Sequence, residues 1–125
     1  LSEESLFKFQ SDAIRKVADE SSCVFVGRCS DYVLREKKNL VNIFISADAE
    51  SRLNRICERH QCDRNAALKI INNGDSNRAS YYNYYTGKKW GAAESYDLCI
   101  NSSILGIEET EKYIKEFIYK KLNLK

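Results

Sequence analysis

The chain has 125 residues, of which 43% are hydrophobic and 30% are charged, and this balance excludes a disordered or fibrous chain. The 20 Lys and Arg residues and 18 Asp and Glu residues give a net charge of +2, which is too small to indicate a nucleic-acid-binding face. No apolar run reaches the ~18 residues that a membrane span needs, and the cysteines indicate reduced thiols in a cytoplasmic protein.

Apolar spacing predicts an alternation of helices and strands along the whole chain. The predicted segments are a helix over 3–20, a strand over 22–27, one or two helical turns over 31–37, a strand over 40–46, a helix over 48–60, a helix from 63 with a kink or break at 72–74, its continuation over 75–85, a loop over 86–95, a strand over 96–101 and a helix over 107–122. This order predicts a three-layer α/β fold with parallel strands.

Two of these segments have distinct local signals. The run over 22–27 is apolar almost throughout, which is typical of a parallel strand that helices cover on both faces. Asp63 has the side chain of a helix N-cap residue, and it precedes a segment expected to bury Ala66, Ala67, Ile70 and Ile71. The last helix is expected to bury its apolar positions, which are Ile107, Ile114, Phe117, Ile118 and Leu122.

Arg28 directly follows the first predicted strand and its closing Gly27. In open parallel sheets, ligands bind just beyond the carboxyl ends of the strands, where this guanidinium would lie. A guanidinium is suited to bidentate contact with phosphate. A pairing of Arg28 with a helix carboxylate explains the same position equally well, so the sequence leaves both interpretations open.

Three arginines, Arg52, Arg55 and Arg59, are spaced to line one face of the helix over 48–60. Like charges in such a row repel one another unless acids or a bound anion neutralise them. The spacing is therefore consistent with an anion site or with a solvated charged face, and a solvated face is the usual explanation of a charge stripe.

The segment 75–85 combines an acid, an arginine and four tyrosines. On a helix, Asp75, Arg78, Tyr82 and Tyr85 share one face, where together they would bind an amino-bearing base, a phosphate and a planar ring. A surface Asp–Arg pair beside exposed tyrosines is the alternative. Four tyrosines within five residues favour the binding site.

A phosphate loop is not predicted at Gly87 and Lys88. The motif GxxxxGK[ST] would need Gly in place of Tyr82 and Ser or Thr in place of Lys89. A phosphate loop also follows a strand, whereas this pair follows a predicted helix. The five glycines lie far apart, so no other glycine-rich loop is present in these residues.

A metal site is also not predicted. Cys57, His60 and Cys62 lie together at a helix end, but they lack a nearby fourth ligand. Their spacing matches no common zinc site.

Taken together, these segments resemble the nucleoside monophosphate kinases, and most closely the cytidylate kinase-like group of P-loop kinases, from about Leu6 to Ile118. The residues that carry the resemblance are Val26-Gly27-Arg28, the segment 42–47 with Glu50 and Arg52, Asp75-Ser76-Asn77-Arg78, the segment 81–87 with Trp90-Gly91, and Asn101-Ser102-Ser103. The chain departs from the family pattern at Cys29, where an acid is usual, and at Ile71, where an arginine is usual.

The resemblance implies roles for individual residues. Arg28 and Arg78 would hold the acceptor phosphate, and Asp75 would read the pyrimidine nucleotide. Arg52 and Arg55, with Arg59 as a further candidate, would close from a lid over about 52–85 onto the transferred phosphoryl group. Tyr82 lies on the helix face that it shares with Asp75 and Arg78, and it is expected to contact the substrate.

The resemblance also implies a sheet with strand order 2-3-1-4-5, in which the segments 23–26, 42–45 and 97–100 are the third, fourth and fifth strands. The first strand, which would carry the phosphate loop, is not found among these residues. We therefore expect the chain to be the C-terminal two-thirds of a single kinase-like domain, because a missing central strand leaves two unpaired edges.

The implied function is transfer of a phosphoryl group from ATP to CMP or a related small acceptor, and without the upstream phosphate loop the chain would be inactive. ATP and Mg²⁺ are expected for the full-length protein, and the residues that bind them are unknown. The expected partner is a small-molecule nucleotide, and binding to a membrane or to nucleic acid is not expected. The sequence leaves open whether the protein forms a homodimer.

A non-catalytic module is the alternative. The segment 81–90, with Arg78, Lys88 and Lys89, is an aromatic and basic strip that would stack single-stranded nucleic acid. A degenerate kinase fold that binds a protein partner is a third interpretation. A strand followed by an intact GxxxxGK[ST] upstream of Leu1 would distinguish the enzyme from both.

Overall fold

The computed structural model describes residues 2–125 and divides the chain into two compact units, Leu1–Leu40 and Val41–Lys125. In the first unit, α1 (Glu3–Glu20) begins at Ser2, whose hydroxyl accepts a hydrogen bond from the Ser5 backbone N–H at 3.1 Å. This side-chain cap satisfies one of the free N–H groups at the start of the helix. The short α2 spans Ser30–Val33, and both helix predictions for this unit are confirmed.

The predicted strand over 22–27 is wrong. These residues connect α1 to α2 without strand structure, and Val24 and Val26 are 93% and 92% exposed. A strand satisfies its backbone groups through a neighbouring strand, and none of residues 2–125 pairs with this segment. The segment therefore has the apolar side chains of a buried strand, but among residues 2–125 no neighbouring strand covers them.

The second unit contains a mixed arrangement of helices and strands. Its elements are β1 (Ile43–Ser46), α3 (Ala49–His60), α4 (Arg64–Thr86), a 3₁₀ turn at Ala93–Ser95, β2 (Leu98–Asn101), α5 (Ser102–Leu105) and α6 (Ile107–Lys121). The two strands form a parallel sheet, with Ile43 opposite Leu98 and Ser46 opposite Asn101. The sheet confirms both strand predictions in this unit and the α/β class of the chain.

Of the kink or break predicted at 72–74, the break is wrong, because α4 runs without interruption from Arg64 to Thr86. Asp63 caps its start as predicted, and the Asp63 carboxylate accepts a hydrogen bond from the Ala66 N–H at 2.8 Å. A single glycine in a helix costs about 1 kcal/mol and, unlike proline, keeps its N–H donor. Gly74 therefore lowers the helix propensity locally without ending the helix.

An aromatic cluster joins β1 to the end of α4 and to the loop that follows. The Phe44 ring lies 5.2 Å from the Trp90 ring and 5.0 Å from the Tyr96 ring, and Tyr82 stacks on Tyr96 at 6.3 Å. Gly91 has a φ of +79°, and a Cβ there would lie 3.5 Å from the Phe44 ring. The cluster holds the C-terminal end of α4 against one face of the sheet.

The last helix is less buried than its apolar spacing predicts. Ile107 is 60% exposed, while Ile114, Phe117, Ile118 and Leu122 are only half-buried. In α4, Ala67 is fully buried as expected, whereas Ile70 is exposed. The main packing partner of α6 is the short α5, which covers a small part of its apolar face.

Within residues 2–125, no helix has the length and apolar character that crossing a membrane requires.

Candidate functional site

Arg52 of α3 and Asp75 of α4 form a two-point ion pair. Arg52 Nη1 donates to Asp75 Oδ2 at 2.8 Å, and Nη2 donates to Oδ1 at 2.7 Å. Their side chains are 37% and 31% exposed, so the pair lies at the edge of the solvent. Mutual hydrogen bonding is the largest cause that lowers the pKa of Asp75 and raises the pKa of Arg52. Both groups are therefore charged at neutral pH.

Arg78 adds a second guanidinium to the same carboxylate. Its Nη1 donates to Asp75 Oδ1 at 3.1 Å, from one turn further along α4. The side chain crosses the helix at Gly74, where an added Cβ would lie only 3.0 Å from Arg78 Nη1. Arg52, Asp75 and Arg78 form what we call the Arg–Asp–Arg cluster. Because it contains two cations and one anion, the cluster keeps a net positive charge and spare N–H donors.

A second ion pair links the starts of the same two helices. Arg64 donates to the two carboxylate oxygens of Glu50 at 2.9 and 3.1 Å. This contact lowers the pKa of Glu50 and raises the pKa of Arg64, with the side-chain hydrogen bonds as the main cause. Glu50 lies within the helix predicted over 48–60, but the sequence does not indicate this partner. The two ion pairs tie α3 to α4 at separate points.

Arg55 and Arg59 do not join the Arg–Asp–Arg cluster. Within residues 2–125, neither forms an ion pair or hydrogen bond through its side chain. Arg59 is exposed, whereas Arg55 lines a cavity of about 290 Å³. The other residues that line this cavity are Ile45, Ser102, Ile107, Thr110, Glu111 and Ile114. The helical row of three arginines therefore has three different environments.

Tyr82 lies in the aromatic cluster and is only 7% exposed. Its ring is stacked on Tyr96, so packing accounts for its position on α4. Little of its surface is accessible to a ligand, and its role in substrate binding stays a prediction. Tyr84, by contrast, is exposed, and its ring meets the Tyr85 ring edge-on at 4.9 Å.

Arg28 belongs to the first unit and lies in a left-handed turn. Gly27, Arg28 and Cys29 have φ values of +71°, +57° and +58°. For a residue other than glycine this conformation costs about 1–2 kcal/mol, and such strain tends to collect at functional sites. Burial raises the pKa of the Cys29 thiol to about 11, so the residue that replaces the usual acid is neutral.

The carboxyl ends of the two strands are joined by a closed network of hydrogen bonds. Asn101 Nδ2 donates to Asp48 Oδ1 at 2.8 Å, and the Asp48 N–H donates to Ser103 Oγ at 2.9 Å. The Ser103 N–H completes the network by donating to Asn101 Oδ1 at 2.9 Å. The network fixes the start of α3, and therefore the direction in which α3 carries Arg52 away from the sheet.

The sequence signal for this network was incomplete. Asp48 begins the helix predicted over 48–60, whereas Asn101 and Ser103 enter only through the family resemblance. Asp48 and Asn101 are 53 residues apart, so their contact arises only when the two strands pair.

Comparison with known proteins places these observations in a family. The model of the cytidylate kinase-like family matches residues 1–104. The structure is similar to the crystal structure of an uncharacterized protein from Eubacterium ventriosum ATCC 27560, with a TM-score of 0.89 and 30% sequence identity. That similarity covers 94% of this chain and 74% of the other. No curated protein matches the sequence. The chain belongs to the cytidylate kinase-like family.

Proposed function

We propose that this chain forms the acceptor and lid side of a nucleoside monophosphate kinase-like phosphotransferase, which moves a phosphoryl group from ATP to CMP or a related small acceptor. The observation that carries the proposal is the Arg–Asp–Arg cluster, in which two guanidiniums converge on one carboxylate at 2.7–3.1 Å. Family membership supports a kinase-like fold, and the cluster supplies chemistry that fits such a fold.

Phosphoryl transfer needs positioning and charge neutralisation more than covalent chemistry from the protein. In the proposed site, Arg78 holds the acceptor phosphate, because its side chain is 60% exposed and has N–H donors that Asp75 does not use. Asp75 accepts a hydrogen bond from the amino group of the base. In the first unit, the exposed Arg28 is itself proposed to bind phosphate.

The proposed lid consists of α3 and α4, within the predicted limits of about 52–85. Support comes from the Arg52–Asp75 and Arg64–Glu50 ion pairs, which tie the two helices together. In the proposed closed state, Arg52 exchanges its carboxylate partner for the transferred phosphoryl group. Arg55 reaches the same group from one turn further along α3.

The proposed sheet is that of the P-loop kinases, with helices on both faces. The parallel pairing of β1 with β2 is consistent with the fourth and fifth strands of that sheet. In this arrangement, the strand that carries the phosphate loop lies beside β1. Residues 1–125 contain no GxxxxGK[ST] motif. The proposal therefore assigns ATP binding to that loop.

Among residues 2–125, no group of three His, Cys, Asp or Glu side chains is arranged to hold a metal ion. The proposed contribution of this chain is acceptor binding and charge neutralisation.

Titration of CMP, UMP and AMP into the chain tests the proposal by isothermal titration calorimetry. We expect CMP to bind, and Arg78→Ala to weaken binding by at least about tenfold, since a charge-assisted hydrogen bond contributes roughly 1.5–3 kcal/mol. Arg15→Ala is the matched control, because among residues 2–125 Arg15 pairs only with Asp12, on the exposed face of α1. CMP binding that is the same in wild type and Arg78→Ala would remove Arg78 from the site.

The nucleic-acid-binding alternative has weaker support. A stacking platform needs open ring faces, whereas Tyr82 is buried and the Tyr81 and Tyr85 rings contact each other at 4.8 Å. Binding of a single-stranded oligonucleotide that falls steeply with salt, together with no binding of CMP, would favour this alternative.

A further inference from the structure

Cys57 and Cys62 lie on the two sides of the turn that separates α3 from α4. The turn passes through Gln61, which has left-handed φ and ψ values of 51° and 51°. The Cys62 N–H donates to the Cys57 carbonyl oxygen at 3.1 Å. This six-residue hydrogen bond is typical of a Schellman motif, in which the residues at its two ends bring their side chains together.

The hydrogen bond limits how far apart the two cysteines lie. Given the standard bond lengths of the backbone, an N···O distance of 3.1 Å keeps the two Cα atoms within about 7 Å. This is the greatest separation that a disulfide spans without backbone movement. Both thiols are partly exposed, so a small reagent reaches them.

Electrostatic coupling of the thiols supports the same proximity. The pKa of Cys62 is raised chiefly by burial, and a charge on Cys57 raises it further. Cys57 also contributes to the raised pKa of Arg64, which opens α4. The two sulfurs therefore share one local environment at the end of the helix pair.

We propose that Cys57 and Cys62 form a reversible intramolecular disulfide, with a small-molecule disulfide such as oxidised glutathione as the oxidant. The Cys57 thiolate attacks one glutathione sulfur, and the other glutathione leaves as a thiolate. The Cys62 thiolate then attacks the Cys57 sulfur and releases the second glutathione. Two protein thiols lose two protons and two electrons, and one glutathione disulfide becomes two glutathione thiols.

The bond closes the turn at Gln61 and restricts the angle between α3 and α4. Because these helices carry Arg52 and Asp75, the disulfide restrains the helix packing that brings the two residues of the Arg–Asp–Arg cluster into contact. Formation of the bond does not depend on the proposed kinase function, and the experiment below reads the bond directly.

Tryptic mapping without reductant tests the proposal. The reduced chain is incubated with oxidised glutathione, quenched with acid and digested with trypsin, which cleaves after Arg55, Arg59 and Arg64. Cys57 then lies in peptide 56–59 and Cys62 in peptide 60–64. We expect these two peptides to appear joined, the five free thiols to fall to three, and dithiothreitol to restore all five.

Three variants separate the proposed bond from other oxidation. Cys57→Ser should abolish the joined peptides, whereas the double variant Cys23→Ser with Cys99→Ser should keep them. Gln61→Gly should also keep them, because glycine adopts the left-handed conformation readily. Stable glutathione adducts on Cys57 or Cys62, or joined peptides that involve Cys23 or Cys99 instead, would overturn the proposal.

Discussion

Asp75 is the residue on which the geometry of the candidate site converges. It accepts hydrogen bonds from Arg52 of the neighbouring helix and from Arg78 of its own helix. The Asp75–Arg78 spacing is a local pattern that the sequence shows directly. The Arg52–Asp75 contact spans 23 positions and exists because α3 and α4 pack together. The sequence therefore predicted that Asp75 and Arg78 share a helix face, but not that Arg52 contacts the same carboxylate.

Asp75→Asn tests the contribution of this carboxylate to stability. We expect the free energy of unfolding to fall by about 1 kcal/mol at pH 7. The Arg52–Asp75 pair makes two hydrogen bonds, and because its side chains are about one-third exposed, solvent screens their attraction only in part. The folded pKa of Asp75 lies below its unfolded value, so its stabilisation is present above the unfolded pKa and is lost as the pH falls through the folded pKa. Urea unfolding at a series of pH values measures this.

The difference between wild type and Asp75→Asn should therefore shrink in acid. Arg15→Ala, which alters an exposed pair in α1, is the control and should change the pH profile little. A difference that stays constant down to the most acidic pH would show that the ion pair with Arg52 does not stabilise the fold.

Gly74→Ala separates helix stability from the position of Arg78. Alanine in a helix interior is more favourable than glycine by about 1 kcal/mol, so we expect the melting temperature to rise. The new Cβ would lie 3.0 Å from Arg78 Nη1, so the flexible guanidinium must move away from Gly74. CMP binding should therefore weaken while stability increases. Thermal unfolding and calorimetric titration of the same preparation measure both effects, and unchanged CMP affinity would contradict the second expectation.

At the level of the elements, prediction from sequence succeeded where the signals were local. Asp63 marks the start of α4 because its carboxylate bonds to the Ala66 N–H only three residues later. The prediction of a strand over 22–27 was wrong because a strand requires hydrogen bonds from another segment. The apolar pattern of one segment does not show whether such a partner is present. The break at 72–74 failed because the tertiary contacts of α4 extend on both sides of Gly74, from the ion pair at Arg64 to the rings packed on Tyr82.

Tyr82→Ala tests whether the C-terminal end of α4 depends on the aromatic cluster. Removal of this buried ring leaves a cavity beside Tyr96, and we expect a loss of about 3 kcal/mol in the free energy of unfolding. Tyr84→Ala is the matched control, since Tyr84 lies two positions further along the same helix and is exposed. Urea unfolding that shows equal losses for the two variants would contradict the packing role of Tyr82.

At the scale of the whole molecule, a large amount of apolar surface faces solvent. Val24 and Val26 in the first unit and Ile104 and Ile107 in the second are examples. Burial of such side chains is favourable, so exposed apolar patches promote association. Composition excluded a disordered or fibrous chain, but it could not predict how many apolar side chains this arrangement leaves uncovered.

Self-association of the 125-residue chain follows from this exposed surface. We expect sedimentation velocity to show concentration-dependent association in the micromolar range, where exposed apolar surface and unpaired strand edges begin to promote association. The double variant Val24→Ser with Val26→Ser should reduce it, because its two side chains no longer offer apolar area. The conservative double variant Val24→Ala with Val26→Ala should have a smaller effect. A wild-type chain that stays monomeric at every concentration would contradict the expectation.

The parallel pairing of β1 with β2 also has a consequence for how the second unit folds. Their paired residues, such as Ile43 and Leu98, are 55 positions apart, whereas α3 and α4 are separated by a short turn. Closing a long chain segment costs entropy before any strand contact repays it, so local contacts form earlier. The helix pair therefore assembles first and shortens the distance that the strands must search. In refolding followed by pulsed hydrogen exchange, amides of α3 and α4 should gain protection before those of the sheet.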